Sequence, residues 1–233
     1  VNHQGFFDIE EQNKKILVAM ASGTPPDIAS NHVWFVARYA RAGQLLPLDD
    51  LMAKNGVKPE HFETSLLNGC VFEGKTYALP IFAATWVLYY NTALFKKAGL
   101  DPSRPPRTWE ELQEYARKMT AWKGDTIQQA GFDIPYQVQD TMSDTFLTLF
   151  YQAGGQFLAP DGKKVAFDGP EGVEGLQFMV DLMRKDRASQ IGFGQGLDQT
   201  PQSPFNAGTM AMSMMGPWGI INVQKYSPNL PYA

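Results

Sequence analysis

Apolar positions recur along this chain with two periods, close to 3.6 and close to 2, in segments that take turns. Ile9, Ile16, Leu17 and Met20 share one helical face after Asp8 and Glu11, which are spaced as a capping box. Ser22-Gly-Thr-Pro-Pro26 cannot prolong that helix. Asp27-Ile28-Ala29 then reads as a short buried strand. Val33 to Ala42 reads as a helix with Val36, Tyr39 and Ala40 on one face and Gly43 as its C-cap. Thr76 to Leu79 and Thr85 to Tyr90 read as strands, the second apolar almost throughout, as in a strand covered on both faces. Leu94 to Ala98, closed by Gly99, is a short helix. Thr108-Trp-Glu-Glu111 is a capping box for a helix reaching about Ala121. Met142, Phe146, Leu149, Phe150 and Ala153 form one helical face that ends at Gly154-Gly155. Pro160-Asp-Gly162 is a hairpin turn. Pro170 opens a further helix, with Val173, Leu176, Val180 and Met183 as its apolar face.

The most informative stretch runs from Phe205 to Trp218. A small apolar strand, Thr209 to Met215, leads into Gly216-Pro217-Trp218 and a helix-compatible segment. Proline suits the first helical position, because its fixed φ fits and its missing N–H has no partner there. Trp218 is therefore expected in the first helical turn, just past the carboxyl end of a strand. In open α/β sheets that crevice is where ligands bind. An indole in this place stacks on the apolar face of a sugar ring or fills the core. The residues alone leave both readings open.

Alternating strands and helices predict an α/β architecture, and two clusters of such units predict two lobes. The 233 residues are 44% hydrophobic and 19% charged, with a net charge of −4 spread along the chain, which offers no electrostatic footprint for nucleic acid or an anionic membrane surface. The opening Val1 to Asp8 has neither the basic nor the apolar region of a signal peptide. Cys70 is the one cysteine and is expected to be a packing residue; no metal-ligand cluster or phosphate loop is present in the sequence, and no cofactor is expected.

Several blocks then stand out in order: Gly23-Thr-Pro-Pro-Asp-Ile28, Leu46-Pro-Leu-Asp49, Gly74-Lys-Thr-Tyr-Ala-Leu-Pro80, Leu88-Tyr-Tyr-Asn91, Leu94 to Leu100, Pro106-Arg-Thr-Trp-Glu-Glu-Leu112 and Gly216-Pro217-Trp218. The ordered set resembles the extracytoplasmic solute-binding proteins of carbohydrate ABC importers, the family that includes maltose-binding protein. The resemblance spans nearly the whole chain. It implies a two-lobed periplasmic-binding-protein fold of the type II kind, with the ligand cleft between the lobes and lobe one incomplete. The expected division is 1–82 for part of lobe one, 83–90 for a crossover strand, 91–228 for lobe two and 229–233 for the start of a second crossover. It further implies a fragment of a longer chain, either periplasmic or lipid-anchored outside the cytoplasmic membrane. The expected partners of this monomer are a carbohydrate ligand and the permease subunits of the transporter.

By the same resemblance, the candidate binding residues are Asn31, His32, Phe82, Thr85, Trp86, Gln139, Asp140, Gly216 and Trp218. A sugar needs aromatic platforms for its C–H faces and polar groups for its hydroxyls, and this set holds both. Structural alternatives stand beside them. Asn31 and Asp140 suit helix capping, Thr85 and Trp86 suit the start of a strand, and Trp34 suits packing on its own helix. Gly216 is expected to let backbone approach the ligand. Maltose-binding protein carries a ligand-contacting Glu where this chain has Ala84, which counts against maltose. Related proteins take polyols or glycerophosphates in the same role; the candidate loops hold no obvious cation for a phosphate, which favours a neutral sugar. A glycosidase built on Asp140 and Asp144 is disfavoured, because four residues apart at one helix start they share a face and do not flank a bond. A protein-binding adaptor has only the aromatic content in its favour.

Overall fold

The computed structural model describes residues 9–134, 139–190, 193 and 200–233. The chain divides into two compact units, Val1–Ala83 and Ala84–Ala233.

In the first unit, α1 (Ile9–Ala21) ends where Gly23 adopts a φ of 75°, as the Gly-Thr-Pro-Pro run dictates. A single 3-10 turn over Val33–Phe35 leads into α2 (Val36–Arg41). Val36, Tyr39 and Ala40 form the buried face of α2, as their spacing predicts, and Gly43 follows at φ 66°. Two short helices, α3 (Asp49–Lys54) and α4 (Thr64–Asn68), precede a hairpin of β1 (Val71–Phe72) and β2 (Lys75–Thr76). Its two-residue loop, Glu73-Gly74, has φ of 47° and 77°, the left-handed pair that matches strand twist in a tight hairpin. The strand expected over Thr76–Leu79 is thus only the end of this hairpin. Asp27-Ile28-Ala29 is not a strand: Ile28 is 90% exposed, and no described residue offers it a ladder. Cys70 is buried, and burial pushes its thiol pKa up, in keeping with a packing role.

The second unit is built on β3 (Val87–Tyr90). Asn91 follows it and caps α5 (Thr92–Lys97), its side-chain oxygen accepting from the Ala93 and Leu94 amides at 3.0 and 3.1 Å. Thr108 caps α6 (Trp109–Met119) by accepting from the Glu111 amide at 3.2 Å, while the Glu111 carboxylate accepts from the Arg107 amide at 2.7 Å. A hairpin that the periodicity did not suggest, β4 (Ala121–Lys123) with β5 (Thr126–Gln129), turns at Gly124-Asp125. Two long helices, α7 (Gln139–Gln152) and α8 (Pro170–Arg184), flank the predicted turn at Pro160-Asp-Gly162. In that turn Gly162 donates to the Ala159 carbonyl at 2.8 Å, and Leu158 bridges Val165. The unit is completed by β6 (Met212–Met215) and α9 (Trp218–Tyr226).

β6 pairs with β3 antiparallel, from Val87 opposite Met215 to Tyr90 opposite Met212. The chain end joins the other edge of β3, where Tyr90 and Ala233 exchange both backbone hydrogen bonds. Against this ribbon pack Phe95, Phe132 and Leu182, all fully buried, in a cluster with Met119, Leu149 and Phe178. Each such side chain contributes about 1.5–3 kcal/mol.

The buried face of α8 differs from the predicted one. Val173, Leu176 and Val180 face solvent, whereas Gly172, Gly175, Phe178, Met179 and Leu182 are buried. The glycines decide this. A Cβ on Gly175 would lie 3.3 Å from the Phe150 amide nitrogen, and one on Gly172 would lie 1.7 Å from the Phe167 carbonyl oxygen. The glycine side is therefore the only one that lets α8 come this close to its neighbours.

Candidate functional site

The antiparallel register of β3 and β6 sets Trp86, one residue before Val87, beside Gly216, one residue after Met215. Trp218 then opens α9, in the first helical turn past the carboxyl end of β6, as its sequence context predicts. The two indoles meet edge to face, with ring centroids 5.4 Å apart and planes at 88°. Such pairs add about 0.5–1.5 kcal/mol beyond area burial.

Three further groups hold the pair in place. The Tyr89 hydroxyl donates to the Gly216 carbonyl at 3.1 Å. Burial pushes the Tyr89 pKa up, so the hydroxyl keeps its proton for that bond. Gly219 lets α9 close on the Tyr89 ring, where an added Cβ would sit 3.1 Å from Cζ. At Gly216 an added Cβ would meet the Trp218 ring at 2.1 Å. The Trp218 ring is therefore folded back over Gly216, in the space that a side chain there would fill. The Trp218 indole nitrogen is buried and has no acceptor among the described residues. An orphaned donor costs about 1–3 kcal/mol and asks for an explanation.

The other expected residues fall apart into separate groups. Thr85 is exposed and, like Trp86, precedes β3 instead of joining it; Phe82, at the end of the first unit, is 77% exposed. Gln139 and Asp140 are the first two residues of α7, and Tyr136 to Val138 lie outside the described residues. In the first unit, the Asn31 amide donates to Asn13 Oδ1 at 2.7 Å, and its oxygen accepts from the His32 backbone at 2.8 Å. It ties its loop to α1 and caps no helix.

Two more residues, Asn13, which the sequence did not single out, and Trp34, belong beside it. Asn13, a buried residue of α1, also accepts from the Tyr39 hydroxyl at 3.2 Å, and its Nδ2 has no acceptor among the described residues. Trp34 does not pack on its helix: it is 55% exposed and stacks on His32 at 4.0 Å. A 3-10 turn in place of the first α-helical turn swings it outward. Asn13 could have been suspected as a polar interruption in the apolar period of its helix. Among the described residues no cluster of His, Cys, Asp and Glu is suited to a metal, and no helix is long and apolar enough to cross a membrane.

Comparison with known proteins gives this arrangement a context. The chain is 27% identical over 222 residues to the sn-glycerol-3-phosphate-binding periplasmic protein UgpB of Escherichia coli K12, covering 93% of this chain and 49% of that protein. It superposes with a TM-score of 0.82 and 28% identity on an ABC-transporter solute-binding protein of Thermotoga lettingae bound with α-D-tagatose, covering 97% of this chain and 57% of that one. A cyclic α-maltosyl-1,6-maltose binding protein of Arthrobacter globiformis matches with a TM-score of 0.74 and 28% identity, over 96% of this chain and 54% of its own. The chain spans about half the length of the curated relatives it matches. These matches show the two-lobed fold of the periplasmic solute-binding proteins. The model of the bacterial extracellular solute-binding protein family matches residues 4–233, and the chain belongs to that family.

Proposed function

We infer that this protein captures a saccharide and hands it to the membrane permease of an ABC importer, without chemically changing it. The observation that carries this reading is the Trp86–Trp218 pair at the adjoining ends of β3 and β6, held by Tyr89 and Gly216. Crossed indoles offer a face and an edge to the C–H surfaces of a pyranose or furanose. Thr85 and Gly216 flank the pair, and Gln139 and Asp140 at the start of α7 supply hydroxyl partners. His32, Trp34, Asn31 and Phe82 are the contribution of residues 1–82. Residues 83–90 and 229–233 are the crossovers about which a two-lobed binder closes. The binder works as a monomer outside the cytoplasmic membrane. The named ligands of the structural relatives, tagatose and a cyclic maltosyl-maltose, lie in the same chemical class.

A second reading, sn-glycerol 3-phosphate, rests on the relative from Escherichia coli. No Lys or Arg stands among the candidate residues to take a phosphate, which favours the neutral sugar. A thermal-shift panel of mono- and oligosaccharides, polyols and sn-glycerol 3-phosphate tests the choice. A ligand present at a hundred times its Kd stabilises the folded state by about 2.7 kcal/mol. A saturable shift with one sugar class and none with the phosphate ester supports the main reading; the reverse pattern replaces it with the second.

A further inference from the structure

Successive residues of a strand point to opposite faces, and β3 ends on two tyrosines with different surroundings. Tyr90 turns into the larger core cluster, where its ring lies 4.7 Å from that of Phe95 and its hydroxyl donates to the Pro102 carbonyl at 2.8 Å. Tyr89 turns the other way, into a cluster with Phe205, Met215 and Val223. Its hydroxyl reaches the start of α9, where Pro217 at the N-cap offers no side-chain cap. The Gly216 carbonyl to which it donates also accepts from the Gly219 amide at 3.0 Å, and the Ile220 amide faces the phenol oxygen. One hydroxyl is thus built into the first turn of α9, the turn that carries Trp218.

The Tyr89 ring also meets the chain end. Tyr232 stacks on it, with centroids 6.3 Å apart and planes at 25°. Backbone bonds tie the Tyr232 segment to β3: Tyr90 and Ala233 exchange hydrogen bonds of 2.9 and 3.1 Å, and the Thr92 amide donates to the Pro231 carbonyl at 2.9 Å. Close-packed rings of this kind pass a displacement on, because they have no free volume in which to absorb it. The contacts therefore run without a gap from residues 229–233 through Tyr232 and Tyr89 to Gly216 and the Trp218 ring. We propose that Tyr89 is a positioning residue for the indole pair, through which the Tyr232 segment sets the placement of Trp218. The inference rests on the sugar reading for what the pair binds. Where the pair sits is a property of the protein alone, so the two are tested separately.

The test is fluorine NMR of the whole 233-residue chain labelled with fluorotryptophan, whose five tryptophans give one resonance each. Trp86→Phe and Trp218→Phe assign the two that matter. With no sugar present, Tyr89→Phe, which keeps the ring and loses the hydroxyl, is expected to shift the Trp86 and Trp218 resonances. Those of Trp34 and Trp109 are expected to stay in place, which checks that the variant is folded. Tyr232→Ala is expected to move the same two resonances, and Tyr232→Phe, which keeps the stacked ring, to return them to the wild-type positions. Tyr90→Phe removes a comparable hydrogen bond from the opposite face of β3 and is expected to move neither. In calorimetric titration with the sugar that gives the largest thermal shift, Tyr89→Phe is expected to weaken binding about two- to tenfold, the range that one neutral hydrogen bond commands. Tyr90→Phe is expected to bind as the wild type does. An unmoved Trp218 resonance in Tyr89→Phe would overturn the positioning role, and an unmoved one in Tyr232→Ala would overturn the link to the chain end. Wild-type sugar affinity in Tyr89→Phe would overturn the part of Tyr89 in binding. The expected shifts in a wild type that binds no sugar would instead support the positioning and sink the sugar reading.

Discussion

The two units of this chain obey the same local rules but bury their apolar residues very differently. In residues 84–233, β3 and β6 form a ribbon on which Phe95, Phe132, Leu182 and Met212 are wholly enclosed. In residues 1–83 the helices are short apart from α1, and Ile28, Ile81 and Phe82 are 90%, 73% and 77% exposed. Capping and turn chemistry are equally sound in both, as Glu73-Gly74 and Thr108 show. The contrast teaches that local signals produce elements, whereas burial depends on the partners that the rest of the fold supplies.

The largest expected effect tests that contrast directly. Phe95→Ala should cost about 3–5 kcal/mol, because the ring is wholly enclosed. Ile28→Ala should change stability by no more than about 0.5 kcal/mol, since the side chain is already in water. Urea unfolding of both variants measures the pair, and comparable losses would break the distinction. Next comes Gly216→Ala. The new methyl would overlap the Trp218 ring, so we expect a loss of about 1–3 kcal/mol and a change in tryptophan fluorescence as the ring is displaced. An unaltered emission spectrum would show that the ring does not rest on Gly216.

Two smaller effects sharpen the account of the second unit. Thr108→Ala removes the α6 cap and should lower stability by about 1 kcal/mol, while Thr108→Asn retains most of it. The last effect concerns acid. The Ser103 backbone amide, and then its hydroxyl, hold the Asp101 carboxyl below the ordinary carboxylate range. Because the folded-state pKa is the lower one, the stability it contributes is fully present above the unfolded value of about 3.9 and is lost as pH falls through the folded value. Melting temperature followed from pH 6 down to pH 2 should therefore decline less steeply in Asp101→Asn than in the wild type.

Much of the fold was legible where the signal is local. The stops at Gly23, Gly43, Gly99 and Gly154 are all positive-φ glycines, and the caps at Asn91 and Thr108 are made by the side chains themselves. The position of Trp218 was legible for the same reason: strand, glycine, proline and helix start are consecutive. What misled was the choice between two apolar faces. On α8, hydropathy favours the stripe of Val173, Leu176 and Val180, but packing selects the glycine face because backbone can approach only there. Trp34 misled because a 3-10 turn rotates its side chain away from the face that a regular helix would give it. The edge-to-face meeting of Trp86 with Trp218 was not legible, since it depends on the β3–β6 register across more than a hundred intervening residues.

The central claim is that the indole pair is a sugar platform, and calorimetric titration tests it most directly. The sugar giving the largest thermal shift should be titrated into the wild type, Trp218→Ala and Trp109→Ala. The account predicts that Trp218→Ala weakens binding at least tenfold, while Trp109→Ala, which alters an indole of α6 outside the pair, binds as the wild type does. Wild-type affinity in Trp218→Ala would contradict it.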